Sequence, residues 1–418
     1  MGLNVLSDRP VVLHGLGVEG RAACDALAGS GADLTIVDPG VPDTTPADIV
    51  RFAPDTLYLR SPGIPPTEPL HARALASGCT VTTPTGWWLA TLAPPGTITV
   101  TGTKGKSTTT AMLSAILAAG GVSSAAYGNI GAPPLGPHLP REAAPVVELS
   151  SYMCQDLLPP SDGRRWFHLV TSLYKEHTDW HGGEAAYRAA KLRPFRFAPP
   201  CPGAAPRAVI ASEGLSVTNL EAALPLEGAS LALAGGIDLR ALNDAFASPA
   251  ATLALRAAAV AAAPLLGAGL ADAVRAAAAR WRGLPSRQAQ IPSTDGRVWI
   301  DDALATVPEA TRAALVRFGD RPVRIVLGGK DRGQDYSELA AIIGSLPDAH
   351  AYGFGEVAAK LEKVGVAVFA TIEDAVRAAA RDCPVGGIVL FSPAAPSGPP
   401  HRDYKARAAI FAAMAAGT

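Results

Sequence analysis

The segment that most restricts how this chain can fold is residues 97–119. A short run, Thr97-Ile98-Thr99-Val100, leads into Thr101-Gly102-Thr103-Lys104-Gly105-Lys106-Ser107, and a helical stretch runs from Thr108 to Ala119. A glycine-rich turn between a strand and a helix N-terminus points backbone N–H groups inward, and the helix dipole adds positive potential. Lys106 can then reach the β- and γ-phosphates of a nucleotide, and the Ser107 hydroxyl can ligate Mg2+. The full phosphate-loop consensus wants a Gly five residues before Gly105, where Val100 stands, so this is a shortened variant. The plainer alternative is an ordinary glycine turn. The preceding strand and the Lys-Ser-Thr-Thr-Thr run favour phosphate binding.

A second strand–turn–helix lies near the N-terminus. The apolar run from Pro10 to Leu16 ends in Gly15-Leu16-Gly17-Val18-Glu19-Gly20, a helical stretch covers residues 21–28, and a second apolar run, residues 33–37, ends at Asp38. This is a βαβ unit with a parallel sheet. Gly15-x-Gly17-x-x-Gly20 with an acid eighteen residues on is, taken alone, the dinucleotide fingerprint. The same geometry holds any nucleotide diphosphate, with Asp38 on a ribose or base edge, and a bare βα turn is the third possibility.

The 418 residues suggest three domains at about 150 residues each. Pro/Gly breaks at residues 93–96 and 283–285 place the boundaries, giving 1–95, 96–285 and 286–418. Beyond the second break, strand-like runs at residues 297–301, 323–327, 350–354 and 387–391 alternate with helical stretches at 308–318, 336–344 and 372–380, again an α/β pattern. Lys plus Arg is 36 against 37 Asp plus Glu, so there is no basic excess and no reason to expect a nucleic-acid partner. The five cysteines show no CxxC or Cys/His spacing, which argues against a disulfide framework or a zinc site. The N-terminus lacks the pattern of a signal peptide. The most apolar tract, residues 253–270, contains Arg256 and Pro264 and reads as a buried helix pair, not a membrane span. A soluble, cytoplasmic α/β protein is expected, with no membrane partner.

Three further residues stand out. Glu148, in Glu148-Leu149-Ser150-Ser151-Tyr152 after an apolar run, is a carboxylate at a strand end and well placed to hold a cation. His177 opens His177-Thr178-Asp179-Trp180-His181; a His beside an Asp is commonly a structural hydrogen-bonding residue, and the i, i+4 pair is not HExxH and shows no third zinc ligand. Lys191, in Ala-Ala-Lys-Leu-Arg, would ordinarily be a solvated helix position.

Taken together, these segments resemble the Mur ligase family, ATP-dependent ligases of bacterial cell-wall precursors, from Val12 to about Phe411. Within it the chain most resembles the branch that adds glutamate to UDP-N-acetylmuramoyl-L-alanine. The resemblance implies three domains: Rossmann-like UDP-binding, central P-loop ATPase-like, and C-terminal Rossmann-like α/β. It implies that Gly15, Leu16, Gly17 and Asp38 cradle the UDP beside Ser61, Pro62 and Gly63, and that Asn129 and Ser150 contact the substrate. It implies ATP on Gly102, Thr103, Lys104, Gly105, Lys106, Ser107 and Thr108, with Arg287 and Asp302 touching the nucleotide. Two Mg2+ ions would be held by Ser107, Glu148, His177 and a carbamylated Lys191, with Lys106, His177 and Lys191 catalytic. Thr306, Arg332, Ser392 and Phe411 would hold glutamate. A monomer whose domains close over substrates is expected.

Several positions depart from the family pattern. The segment Asp301-Asp302-Ala303-Leu304-Ala305-Thr306 has Leu304 where the family has lysine, Ser248-Pro249 replaces a His-Asn-x-x-Asn segment, Ser172 replaces an Asn, Glu176 replaces an Asp, and Ala408 follows Arg407 in place of Gly. D-Glutamate is the family's usual amino acid. Some of these departures, with Ser392-Pro-Ala-Ala-Pro-Ser397, resemble a branch that uses L-glutamate. The rivals are a folylpolyglutamate synthetase-like ligase, an NAD-dependent dehydrogenase and a non-catalytic nucleotide-binding protein.

Overall fold

The computed structural model describes residues 3–161, 167–173, 176–197, 208–210, 223–225 and 249–417. Cys201 and Ser248 lie outside them. The chain forms two compact units, Met1–Trp281 and Arg282–Thr418.

The first unit holds two parallel sheets. Strands β1 (Pro10–His14), β2 (Asp33–Val37), β3 (Leu57–Arg60) and β4 (Thr80–Thr82) pair in the order β2-β1-β3-β4. Strands β5 (Ile98–Thr101), β6 (Ala126–Gly128), β7 (Val146–Glu148), β8 (Phe167–Val170), β9 (Ala208–Ile210) and β10 (Ala223–Pro225) pair as β10-β9-β8-β5-β7-β6. The chain leaves β5 towards β6 and β7 on one side and returns through β8 on the other. Such a reversal opens a crevice at the carboxyl ends of the strands, where α/β sheets bind ligands. The glycine turn after Thr101 sits there.

Residue 95, an expected boundary, falls inside this unit because one core spans both sheets. Leu13 and Leu59 of the first sheet and Trp87 and Trp88 of the helix Pro84–Thr91 pack with Leu149, Met153 and Leu157 of the second. Both tryptophans are almost fully buried, each worth roughly 2–3 kcal/mol of transfer free energy. The stretch Thr252–Arg280 is long and apolar enough to cross a membrane by length and composition, with half of its apolar window buried. Its Leu255, Ala258, Ala262 and Val274 share a core with Met112, Leu113, Ile116 and Leu117 of the helix Lys106–Ala119, as expected of a buried pair.

The second unit holds β11 (Ala289–Ile291), β12 (Val298–Asp301), β13 (Val323–Gly329), β14 (Ala349–Gly355), β15 (Ala367–Val368) and β16 (Ile388–Phe391), ordered β11-β12-β16-β13-β14-β15. Only β11 runs antiparallel, to β12; the other pairs are parallel. The helices Pro308–Phe318, Ser337–Ser345 and Ile372–Asp382 lie where their apolar spacing predicts them. Alternate residues of β13 enter different cores, Ile325 and Leu327 in one and Val326 in the other, as the period-2 alternation of a doubly covered sheet requires.

Candidate active site

The turn after β5 is braced by the neighbouring strand. Gly102 adopts φ +145° and Gly105 φ +82°, and a Cβ on Gly102 would lie 2.1 Å from the Thr171 hydroxyl. Thr103 N donates to Ser172 O (2.8 Å), Lys104 N donates to Ser172 Oγ (2.8 Å), and Thr171 Oγ1 donates to Lys104 O (2.5 Å). The substitution to Ser172 is thereby accounted for: its hydroxyl both accepts from and donates to the Lys104 backbone. Lys106 Nζ donates to Thr103 O at 3.0 Å, and Ser107 and Thr108 stand in the first helical turn. Thr103 Oγ1 pairs with Tyr187 OH at 2.7 Å, which ties the loop to the helix Glu184–Leu192 that carries Lys191. The geometry is that of an anion cradle at a helix N-terminus.

Lys191 is only 2% exposed, so it is not the solvated position its local sequence suggests. Its Nζ donates to Thr101 Oγ1 at 3.5 Å. Burial, then the nearby Lys106 charge, lowers its pKa to about 8. Glu148 is fully buried at the end of β7. Its Oε1 accepts from Asn129 Nδ2 at 2.8 Å, while Oε2 has no hydrogen-bond partner among the described residues. An orphaned buried carboxylate oxygen is costly unless a cation or donor meets it. His177 adopts a left-handed φ of +52°, and its Nδ1 pairs with Tyr152 OH at 3.0 Å. Burial lowers the imidazole pKa and favours the neutral, metal-competent form. Lys104 Nζ bonds Glu176 Oε1 at 2.8 Å, and Glu176 Oε2 lies 3.6 Å from His177 Nε2. No group of three or more His, Cys, Asp or Glu side chains forms a metal cage among the described residues. A cation here would need a ligand of another type, and Lys191, which lies within electrostatic reach of both Glu148 and His177, is the residue at hand. Ser150 caps the short helix Ser151–Cys154, its Oγ accepting from Met153 N.

At the end of β1, Gly15 adopts φ +86°, and Ser61 Oγ donates to Gly15 O at 2.6 Å. Leu16 N donates to Asp38 Oδ2 at 2.6 Å and Gly40 N to Oδ1 at 2.9 Å. Asp38 therefore holds the glycine turn through Oδ2 and its own turn after β2 through Oδ1.

In the second unit, the loops after β12 and β16 meet. Ser392 Oγ donates to Asp302 Oδ2 at 2.8 Å and lies 2.9 Å from Thr311 Oγ1. Burial raises the Asp302 carboxyl to about 7. The turn carrying Arg287 docks on the same loop through Gln288 N to Asp302 Oδ1, 3.2 Å. Arg332 lies in the turn after β13, and Thr306 precedes the helix Pro308–Phe318. One expectation is corrected: Phe411 is fully buried between Trp299 (centroids 5.1 Å apart) and Phe391 (5.4 Å), so it is core and not a glutamate contact. It lies two helical turns beyond Tyr404, the half-buried first residue of the helix Tyr404–Ala416, on the stripe facing the sheet.

Sequence reasoning did not single out Thr171 or Arg60, which brace these loops and lie within no recognisable motif, and it gave no role to Tyr187.

A braced phosphate loop on a parallel sheet defines a nucleotide-phosphate-binding α/β protein, and comparison with known proteins narrows this class. Residues 100–224 match the Mur ligase middle domain. The UDP-N-acetylmuramoyl-L-alanine–L-glutamate ligase of Salinispora tropica is 36% identical over 99% of this chain and 98% of its own length. That of Micromonospora sp. is 35% identical over 99% and 97%. The chain belongs to the Mur ligase family. Among solved structures, the UDP-N-acetylmuramate–alanine ligase of Thermotoga maritima shares the fold with a TM-score of 0.56 at 16% identity, covering 97% of this chain and 98% of that one. The MurF ligase of T. maritima in complex with ADP gives 0.55 at 14%, over 98% and 95%. The folylpolyglutamate synthase/dihydrofolate synthase of Yersinia pestis with AMPPNP and Mn gives 0.53 at 18%, over 77% and 89%.

Proposed function

We propose that the protein joins the amine of L-glutamate to the alanyl carboxyl of UDP-N-acetylmuramoyl-L-alanine, with ATP and Mg2+, in cytoplasmic peptidoglycan precursor synthesis. The observation that carries this reading is the near full-length match to ligases named for that reaction. The L-glutamate in those relatives' names, together with the Ser392 segment, supports the L isomer over the D isomer.

The substrate carboxylate attacks the γ-phosphorus of ATP, the bond to the β–γ bridging oxygen breaks, and ADP leaves. The glutamate amine then attacks the acyl carbon, inorganic phosphate leaves, and one proton is released. Lys106 and the amides of Gly102 and Gly105 hold the phosphates in line, on a loop whose Thr103 and Lys104 amides are anchored to Ser172, since positioning and electrostatics dominate such transfers. Glu148 through Oε2, His177 through Nε2, Ser107 and a carbamylated Lys191 are the residues fitted to hold magnesium. Bound Mg2+ would neutralise charge gathering on the phosphoryl oxygens. Asn129 orients Glu148, and Tyr152 fixes the His177 tautomer by accepting from Nδ1–H. Three functional domains, bounded near residues 95 and 285, would divide UDP, ATP and amino-acid binding.

The folate-type rival is disfavoured by its partial coverage of this chain, 77% against 97–98% for the two T. maritima Mur ligases. A dehydrogenase is disfavoured by the near full-length match to ligases. Retention of Lys106, Ser107, Glu148, His177 and Lys191 together argues against a non-catalytic protein.

The test is phosphate release with UDP-N-acetylmuramoyl-L-alanine, ATP and Mg2+, comparing L- and D-glutamate. Turnover with the L isomer is expected. Turnover with D alone would reverse the stereochemical assignment, and silence with both would overturn the ligase reading.

A further inference from the structure

Arg60 ends β3, is fully buried, and is engaged on two sides. On one side Nη1 donates to the backbone carbonyls of Pro62 (3.0 Å) and Ile64 (2.9 Å), with a longer contact to Ser61 O at 3.5 Å. On the other, Nε donates to Asp156 Oδ2 (2.6 Å) and Nη2 to Tyr152 O (2.9 Å), both beyond β7 in the second sheet. Its guanidinium lies 5.3 Å over the Trp180 ring. Trp180 Nε1 donates to Gly63 O at 3.4 Å, and the Trp180 ring stacks on Tyr152 at 4.2 Å. Tyr152 in turn holds His177 through its hydroxyl.

A planar guanidinium spreads five donors over a fixed fork and can serve two backbone segments in set directions, whereas a lysine ammonium has three donors at a single point. Desolvating such a charge is repaid only with good geometry. Here the repayment is divided between a loop of one sheet and a helix of the other, so neither segment can move without unpairing a buried cation.

We propose that Arg60 is a positioning residue that joins the loop 61–64 and the Tyr152–Trp180–His177 cluster into one unit, so that substrate seated on the loop sets the orientation of His177. This deepens the proposed function, resting on the assignment of the loop to the UDP-linked substrate and of His177 to magnesium.

The test uses the full chain with Arg60→Lys, which keeps a cation for Asp156, and Arg60→Met. Hydrogen exchange needs no substrate: both variants should speed exchange at residues 61–64 and 176–181 together, leaving the helix Lys106–Ala119 unchanged. In turnover, Arg60→Lys should raise the KM for UDP-N-acetylmuramoyl-L-alanine about tenfold and raise the Mg2+ needed for half-maximal rate, with the ATP KM within twofold. Tyr152→Phe, which keeps the ring and the carbonyl, should raise the Mg2+ requirement alone. Exchange confined to the loop, or unchanged at both segments, overturns the coupling. Equal loss of ATP and UDP-substrate affinity also overturns it, marking Arg60 as merely structural. If the wild type fails to turn over, the proposed function falls while the exchange result still decides the coupling.

Discussion

The Lys191 amine and the Thr101 hydroxyl stand 3.5 Å apart, joining the helix Glu184–Leu192 to the last residue of the strand that feeds the phosphate loop. Nothing in Ala-Ala-Lys-Leu-Arg marks this lysine as buried. Once buried beside Lys106, it gives up its proton far more readily than an ordinary lysine.

The neutral amine is the form that adds carbon dioxide. With a pKa of about 8, roughly a tenth of it is neutral at pH 7, against fewer than about one in a thousand for an ordinary lysine. Turnover should therefore rise from pH 6.5 to 8.5, and bicarbonate should restore enzyme depleted of carbon dioxide. A carbamate carbon resonance with labelled bicarbonate, absent in Lys191→Ala, checks this; a pH-flat rate with no carbamate signal would sink it.

Gly102→Ala should abolish ATP binding while preserving the fold. The added Cβ would meet Thr171 Oγ1 at 2.1 Å and Ser172 N at 2.9 Å, at a φ of +145°. Backbone strain of that kind costs about 1–3 kcal/mol, enough to shift the loop but not to unfold the unit. Nucleotide titration calorimetry beside a thermal melt separates the two effects.

His168 is buried, pairs with Thr99 Oγ1, and has its pKa lowered by burial to about 3. The unfolded chain gains a proton below pH 6.5 that the folded chain refuses until about pH 3. Stability of the first unit should thus fall with acid across this window, by up to about 1.4 kcal/mol per pH unit. His168→Gln should flatten that slope in denaturant titrations at pH 4 to 7; an unchanged slope would refute the assignment.

Arg407 is fully buried and donates to the carbonyls of Gly328, Ala395 and Ala303, which pins the end of β13 to the loops after β16 and β12. Arg407→Met leaves those carbonyls unpaired and should destabilise the second unit by about 3 kcal/mol. Chemical unfolding followed by Trp299 fluorescence would register it.

The phosphate loop and the first βαβ turn were legible because their chemistry is contiguous: strand, glycines, lysine, hydroxyl and helix follow one another within a few residues. The C-terminal helices were legible from apolar spacing alone. Strands β3 and β4, three or four residues long, are too short to carry a period. Phe411 shows the limit of motif matching on a helix, where residues two turns apart share a face and only the packed sheet says which one reaches the surface. The amino-acid sequence alone therefore determined the α/β class, the anion cradle and the cast of charged residues, since each depends on local spacing. The tertiary structure alone decided that Ser172 braces Lys104 from 68 residues away, that Lys191 reaches Thr101 across 90, and that Arg60 holds Asp156 across 96. Burial and pairing over such separations are properties of the packed sheets, and no local pattern encodes them.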